Sequence, residues 1–202
     1  KLCYFTILFS FASLVHSEDW PCFGGLNGDF KCSETDIITN WDQEEPEQIW
    51  SVEVGLGFSS VIEAEGLAFT QGYSSGKNTL FCVQADDGNI IWKADFPCSK
   101  SDNYFKGGSR STPLYHKGNL YLCTHAGDIY CMNSKNGDVK WSFNLEKDFK
   151  GKRPTWGYAA SPVIFGNKLF IVTGAKNASL ISLKPETGEV IWKKGNYQTA
   201  YA

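Results

Sequence analysis

The sequence predicts an all-β fold: an incomplete β-propeller of four-stranded antiparallel blades, with about three full blades plus an N-terminal closing strand. The first observation is a Gly four positions before a Trp in three segments: ADDGNIIW (85–92), SKNGDVKW (134–141) and PETGEVIW (185–192). The second is spacing: Trp92 to Trp141 is 49 residues and Trp141 to Trp192 is 51. A fixed period of this size indicates a repeat architecture. The third is that each period divides into four short apolar segments separated by turn residues.

Composition supports the same class. Aromatic residues make up 15% of the 202 residues, with seven Trp and 20 Gly, which is typical of β-structure with many turns. No segment of useful length shows the 3.6-residue apolar period of a helix, which argues against a helical solenoid. Charged residues make up 20% and the net charge is −3, so no basic stripe exists for phosphates and nucleic acid is excluded as a partner.

Four strands are predicted in each repeat. The middle repeat gives STPLYH (111–116), NLYLCTH (119–125), DIYCMN (128–133) and DVKWSFN (138–144). The first repeat gives SSVIEA (59–64), LAFTQGY (67–73), TLFCVQ (79–84) and NIIWKADF (89–96). The last gives ASPVIF (160–165), KLFIVTG (168–174), SLISLK (179–184) and EVIWKK (189–194). Gly in the intervening turns supplies positive φ.

The repeated Trp is interpreted as structural rather than catalytic. Gly makes the tight turn between the third and fourth strands, and Trp on the outermost strand covers the neighbouring blade's turn. Burying 150–250 Å² of indole at roughly 25 cal/mol per Å² is worth several kcal/mol before entropy costs. Trp50 in EQIWSVEV (47–54) lacks three upstream strands, so this segment is predicted to complete the last blade and close the ring. A closed ring needs about four to eight blades, and 194–202 reads as the start of another loop.

The N-terminal run LCYFTILFSFASLV (2–15) is uncharged and apolar. Its length suits the core of a secretory signal peptide, and a buried strand is the alternative. The predicted organisation is a signal peptide (1–17), an N-terminal arm (18–46) and a partial propeller (47–202). This predicts a periplasmic or secreted protein with no membrane span in the mature chain, monomeric at full length.

Export permits disulfides. Cys22 and Cys32 flank the loop CFGGLNGDFKC and are a possible pair. Cys123 and Cys131 are placed symmetrically about a turn, where they are expected to face each other either as a bridge or as small core residues. Buried free thiols are the simpler expectation for Cys82 and Cys131. No spacing typical of a zinc site is present, so no metal ligand is predicted.

The blade ends VQADDGNIIW, MNSKNGDVKW and LKPETGEVIW resemble the repeat of quinoprotein-like propellers, named after pyrroloquinoline quinone. The linking segments are similar to those of an exported bacterial subfamily: DWPCFGGLNGD (19–29), GFSSV (57–61), GSRSTPLYHKGNLY (108–121) and GKRPTWGYAASPVI (151–164). The resemblance covers 19–202. It implies either a periplasmic alcohol dehydrogenase that uses the quinone with Ca²⁺, or a non-enzymatic scaffold such as the lipoprotein of outer-membrane assembly.

Several departures weigh on that choice. The dehydrogenases carry an adjacent Cys-Cys pair, which is missing here, and Lys176 stands where their metal-binding acid is expected. A cation does not ligate Ca²⁺. The subfamily's acid within GYAxSP is Ala160 here. The lipoprotein variant is disfavoured because no small-residue lipobox precedes Cys22. The resemblance implies pyrroloquinoline quinone with Ca²⁺ as the cofactor. The missing Cys-Cys pair and Lys176 argue against binding of that cofactor.

The site is predicted at the channel mouth, where the loops leading into the first strands of the blades converge. Alignment of the repeats makes Ser60, Thr112 and Ser161 equivalent, with Phe58 and Ser59 just upstream of the first. The predicted cofactor-binding residues are Arg110, Thr112, Trp156, Tyr158 and Ser161. Arg110 suits carboxylates and Trp156 suits a planar ring. The alternatives are that Arg110 pairs with an acid such as Asp102 and that Trp156 is another junction aromatic.

Two other motifs are assigned no role in a site. GYSSGKN (72–78) is interpreted as a hairpin rather than a phosphate loop, and His116 and His125 as hydrogen-bonded surface residues rather than metal ligands. No catalytic residue is assigned. Two functions stay open: an exported propeller that binds a quinone or another small molecule as an oxidoreductase, and a scaffold that recruits an envelope protein through its loops or an open strand edge.

Overall fold

The computed structural model describes residues 18–35, 37–38, 40–42, 45–100 and 106–199. It contains three four-stranded antiparallel sheets, each with its strands in chain order. This confirms the predicted all-β fold of four-stranded blades. The proposed signal peptide (1–17), Asp102 and the last three residues (200–202) lie outside the described residues.

Each blade is a meander of four strands. Blade 1 contains β1 (Ile62–Ala64), β2 (Leu67–Ser74), β3 (Lys77–Gln84) and β4 (Ile90–Pro97). Blade 2 contains β5 (Leu114–His116), β6 (Asn119–Cys123), β7 (Asp128–Asn133) and β8 (Val139–Asn144). Blade 3 contains β9 (Val163–Phe165), β10 (Lys168–Ala175), β11 (Ala178–Leu183) and β12 (Val190–Lys194). The segment GYSSGKN forms the β2–β3 hairpin, as predicted.

One short helix was not predicted. Helix α1 (Leu145–Phe149) follows β8 and is a single turn. The Asn144 side chain caps it by accepting hydrogen bonds from the backbone N–H groups of Glu146 (3.0 Å) and Lys147 (3.1 Å). The helix ends at Lys150, which is in the left-handed region (φ 60°). A helix of one turn is too short to produce an apolar period in the sequence.

The first strand of each blade is shorter than predicted, because residues 59–61, 111–113 and 160–162 are not part of the sheets. The segments leading into these strands bond across blades instead. The Phe58 N–H donates to the Ser109 carbonyl (2.7 Å), and Gly57 and Ser109 form an isolated parallel bridge. Residues 47–54 have no strand partner among the described residues, so the predicted closing strand there stays a prediction.

The repeated Trp residues join consecutive blades as expected. The indole N–H of Trp92 donates to the Ser134 carbonyl of the next blade (3.0 Å), and that of Trp141 donates to the Pro185 carbonyl (3.0 Å). Each ring also lies over the Gly of the next turn. A Cβ added at Gly137 would come within 2.9 Å of the Trp92 ring. The turn therefore needs Gly both for its positive φ and for the space that the indole occupies.

Trp50 makes the same junction without belonging to a strand. Its indole N–H donates to the Ala85 carbonyl (2.8 Å), and a Cβ at Gly88 would come within 2.7 Å of its ring. Val52 and Val54 pack beside it on blade 1. This is the position that a preceding blade's outer strand takes at the other junctions. Ring closure through this segment stays a prediction.

A buried polar network adds to the junction between blades 1 and 2. The Gln71 amide nitrogen donates to the Ser111 carbonyl (2.5 Å) and to the Cys123 carbonyl (3.2 Å). The Asn78 amide donates to Gln71 Oε1 (2.8 Å), and the Ser109 hydroxyl donates to Asn78 Oδ1. Because these side chains are buried and satisfied, they fix the relative position of the two blades.

The described cysteines are free thiols, so the possible Cys22–Cys32 disulfide is not formed. The Cys22 thiol instead donates to the Gly25 carbonyl (3.0 Å). Cys82 and Cys131 are buried, as predicted, and burial raises their pKa values to about 12 and about 11. Cys131 pairs with Tyr121 in the hairpin register and Cys123 with Ile129. The prediction that Cys123 faces Cys131 was therefore wrong by two residues.

The arm crosses the inner edges of two blades. Trp20 and Glu63 of β1 exchange two backbone hydrogen bonds (2.9 and 3.1 Å). One residue later, the Pro21 carbonyl accepts from the Tyr115 N–H of β5 (2.7 Å). Sequence order alone did not reveal this placement, because the arm and its partners are 43 or more residues apart.

Candidate ligand site at the channel mouth

The three aligned hydroxyls form a relay between blades. The Ser60 N–H donates to Thr112 Oγ1 (3.2 Å), and the Thr112 N–H donates to Ser161 Oγ (2.9 Å). The Thr112 and Ser161 hydroxyl oxygens thus each accept a hydrogen bond from a backbone N–H of the preceding blade. The predicted equivalence of these positions is confirmed, and their first role is to hold the lead-in segments in line.

A cavity of about 950 Å³ opens at this mouth, which is ample for a small molecule or several peptide side chains. The arm bounds it on one side and the segments leading into blades 2 and 3 bound it on the other. Four of the five predicted site residues line it: Arg110, Thr112, Trp156 and Ser161. Their binding role stays a prediction.

Tyr158 does not line the cavity. Its side chain is 1% exposed, and a Cβ at Gly127 would come within 2.6 Å of its ring. Its backbone N–H donates to the His125 carbonyl (3.0 Å). Burial raises the pKa of its phenol. Tyr158 is therefore a junction residue of blades 2 and 3, and it is not carried forward as a ligand contact.

Arg110 is the one charged residue among the described residues that line the cavity. Its guanidinium carbon lies 5.2 Å from the centre of the Phe58 ring, within the range of a cation–π contact. Trp156 is 38% exposed and faces the same cavity. A cation beside an aromatic ring in an apolar cavity suits a ligand that carries both apolar groups and one negative charge.

The lining does not fit a calcium ion. Ca²⁺ takes six to eight oxygen ligands, usually including carboxylates, and no Asp or Glu is among the described lining residues. The Thr112 and Ser161 oxygens already accept backbone hydrogen bonds. Lys176 is exposed in the β10–β11 turn. Across the described part of the chain, no group of three or more His, Cys, Asp or Glu is placed to hold a metal.

Sequence reasoning missed two walls of this cavity. Phe23 and Leu26 of the arm line it, although both residues are distant in sequence from the predicted site. Val163 and Phe165 of β9 line it too, and they are 54% and 79% exposed. The rule that first strands line the channel would have identified the β9 pair. The arm residues carried no such signal.

His125 is buried, which contradicts its prediction as a surface residue. Its Nε2–H donates to the Ser99 carbonyl (2.7 Å), and Nδ1 has no hydrogen-bond partner among the described residues. Its ring meets Tyr73 edge-on at 5.8 Å. Burial lowers the pKa of His125, and the neighbouring Arg153 and Arg110 lower it further.

Acidification is therefore expected to destabilise the wild-type protein through His125. The folded-state pKa lies below the unfolded value, so the unfolded chain binds the proton first as pH falls below about 6.5. Through this residue, the free energy of unfolding falls by at most about 1.4 kcal/mol for each unit of decrease in pH. Urea unfolding at pH 7.5 and 5.5 should show a smaller pH-dependent loss for His125→Gln than for wild type. An equal loss in both proteins would show that His125 is not responsible. Burial lowers the pKa of His116 as well, so His116→Gln measures the share of that residue separately.

Comparison with known proteins places the chain among propellers. Residues 34–199 match the profile of the family described as outer membrane protein assembly factor BamB. The assembly factor of that name from Yersinia pestis is 21% identical over 174 residues, which covers 82% of this chain and 40% of that protein. An uncharacterized protein of Rickettsia prowazekii is 25% identical over 162 residues, 78% of this chain and 34% of its own length. The chain thus spans well under half of these relatives.

A solved structure supports the same fold. The quinohemoprotein alcohol dehydrogenase of Comamonas testosteroni superposes with a TM-score of 0.62 at 21% identity, over 86% of this chain and 26% of that one. The chain matches the assembly-factor profile although no lipobox precedes Cys22. Among the described residues, no helix is long and apolar enough to cross a bilayer.

Proposed function

This chain belongs to the quinone-repeat β-propeller family described as outer membrane protein assembly factor BamB, and we propose that it is a non-enzymatic scaffold that binds another protein at its channel mouth. The family resemblance identified from the sequence is thereby confirmed. The scaffold role develops the second of the two functions that the sequence left open.

The observation that carries this proposal is the exposed apolar rim of the cavity. Five of its apolar side chains are more than half exposed, with fractions from 51% to 79%: Phe23, Leu26, Phe58, Val163 and Phe165. Apolar surface of this kind, rimmed by polar groups, is typical of protein-interaction sites. Aromatic residues and Arg are also the side chains enriched at the centres of interfaces.

The alternative is a small-molecule oxidoreductase, and the pairing of Arg110 with Trp156 in one cavity favours it. An Arg fork suits the carboxylates of a quinone, and an indole suits its ring. Against it, the described lining offers no carboxylate for Ca²⁺. We derive no catalytic step from these residues.

A photo-cross-linking experiment tests the scaffold role. A benzophenone amino acid replaces Phe165, which is 79% exposed at the rim, or Ile91, which is 50% exposed on the outer strand β4. With cell-envelope extract of the source organism, position 165 is expected to yield one discrete adduct and position 91 none. The identified partner, once purified, should bind the chain and lose about tenfold affinity on Phe58→Ser.

The same preparation addresses the alternative. Pyrroloquinoline quinone is added with and without Ca²⁺, and Trp fluorescence and dye-linked alcohol oxidation are followed. Under the scaffold proposal neither changes with Ca²⁺. Calcium-dependent quinone uptake lost in Arg110→Gln, together with equal cross-linking at positions 165 and 91, would overturn it.

We also propose that the protein is exported to the periplasm or secreted. The apolar run 2–15 has the length of a signal core, and a relative is named for assembly of outer-membrane proteins. N-terminal sequencing of the native protein tests this, because an uncleaved 1–17 would contradict it.

A further inference from the structure

The middle residues of the three innermost strands hold the same register. Glu63 of β1 opposes Ala68, Tyr115 of β5 opposes Leu120, and Ile164 of β9 opposes Leu169. In an antiparallel ladder, alternate residues direct their N–H and C=O groups away from the paired strand. The bonds made by Glu63 and Tyr115 to the arm show that this position faces the channel. By register, the Ile164 backbone faces it as well.

Two of these three edge positions are already paired. The arm gives Glu63 two backbone hydrogen bonds, through Trp20, and gives Tyr115 one, through Pro21. The arm then turns twice, with the Gly25 N–H donating to the Cys22 carbonyl (3.0 Å) and the Gly28 N–H to the Gly25 carbonyl (3.1 Å). It therefore leaves the inner edges before reaching blade 3. Within the described ranges, no backbone group outside the sheet bonds to Ile164.

The surroundings of this third position suit a peptide. Val163 and Phe165 lie on either side of Ile164, and all three line the cavity. Phe23 and Leu26 of the arm line the same cavity, so apolar side chains of an added strand would have partners beyond β9. Arg110 in the same cavity favours a peptide with a negative charge.

We propose that the inner edge of β9, centred on Ile164, binds an extended apolar segment of the partner protein by strand addition. The occupant is inferred from the arm, which uses the same mode on β1 and β5. Backbone hydrogen bonds supply affinity, and the alternating side chains supply specificity. This inference rests on the proposed scaffold function and specifies how the partner is held.

The test uses the 202-residue chain and a synthetic peptide. The probe is fluorescein-labelled Thr-Val-Thr-Phe-Thr-Val with a free carboxylate, and its control is the same peptide N-methylated at alternate residues. Fluorescence polarisation is expected to show that N-methylation weakens binding by about tenfold or more, because it removes edge hydrogen bonds. In a chain labelled with ¹⁵N-isoleucine, the Ile164 amide resonance should shift on titration.

Three variants separate binding at the β9 edge from general apolar binding. Val163→Thr is expected to weaken the peptide by several-fold, whereas Val139→Thr, similarly exposed (49% against 54%) but on the outer strand β8, should not. Ile164→Pro removes the edge donor, and circular dichroism checks that it folds. Equal binding of the N-methylated peptide, an unmoved Ile164 amide, or no binding at all would overturn the inference. If cross-linking at position 165 persists in that case, the scaffold function survives. If both peptide binding and cross-linking are lost, strand addition and the scaffold function are both rejected.

Discussion

Replacing Trp141 with alanine is expected to lower the free energy of unfolding by about 3–5 kcal/mol, the range for removing a large aromatic side chain from a packed site. The indole covers the turn at Gly188 of blade 3 and donates to the Pro185 carbonyl. It also contacts Tyr121, with ring centres 6.1 Å apart, and stacks on Phe143 at 5.6 Å. Urea unfolding followed by far-UV circular dichroism measures the loss.

Trp192 provides the matched control. It holds the same position in blade 3 and meets Phe170 at 5.9 Å, but no turn of another blade lies on it within the described residues. Trp192→Ala is therefore expected to lower the free energy of unfolding by about 1–2 kcal/mol, which is the part that comes from contacts within blade 3. Trp141→Phe should lose about 1 kcal/mol from the missing N–H donor, beyond the change in packing. Equal losses for Trp141→Ala and Trp192→Ala would show that the ring does not join the blades.

The junctions could be predicted from sequence because their chemistry is local. A Gly four residues before a Trp specifies both a tight turn and a strand whose third residue is the Trp, and the same pair recurs at each period. The partner of Trp92 is then found simply by moving one period along, to Gly137. Trp50 has no Gly four residues before it, so this pattern did not predict its hydrogen bond to the Ala85 carbonyl.

The site was only partly predictable, because its walls come from distant segments. Arg110 and Trp156 were found by aligning lead-in segments, which is again a periodic argument. Tyr158, two residues after Trp156, was assigned to the cavity although its ring faces Gly127. Irregular segments have no fixed alternation of faces, so the sequence could not distinguish them. The arm's pairing with Glu63 depends on contacts that no local pattern encodes.

Contacts at two radii hold consecutive blades together. The blades are joined at the outer rim by indoles and at the inner rim by the Ser60–Thr112–Ser161 relay. The inner relay leaves the backbone edges of the first strands facing the channel. Rigidity at both rims thus presents a preformed peptide-binding edge, which lowers the ordering cost of binding.

The junction predicts a second large effect, at the glycine rather than at the indole. Gly188→Ala is expected to destabilise the protein by about 2–4 kcal/mol, since two costs combine. The residue has a φ of 71°, where a side chain is strained, and its Cβ would come within 2.9 Å of the Trp141 ring. The ring must then move away from its hydrogen bond to Pro185.

Gly118→Ala isolates the backbone cost, because Gly118 has a similar φ of 74° and no heavy atom within 4 Å of an added Cβ. It should lose about 1–2 kcal/mol, the strain alone. A double-mutant cycle with Trp141→Ala tests whether the remaining loss in Gly188→Ala comes from the indole. The two losses should be strongly non-additive, because Trp141→Ala removes the ring that Gly188→Ala displaces. Additive losses, or equal losses for the two glycines, would mean that the turn needs Gly only for its backbone and that the indole does not depend on the empty space above it.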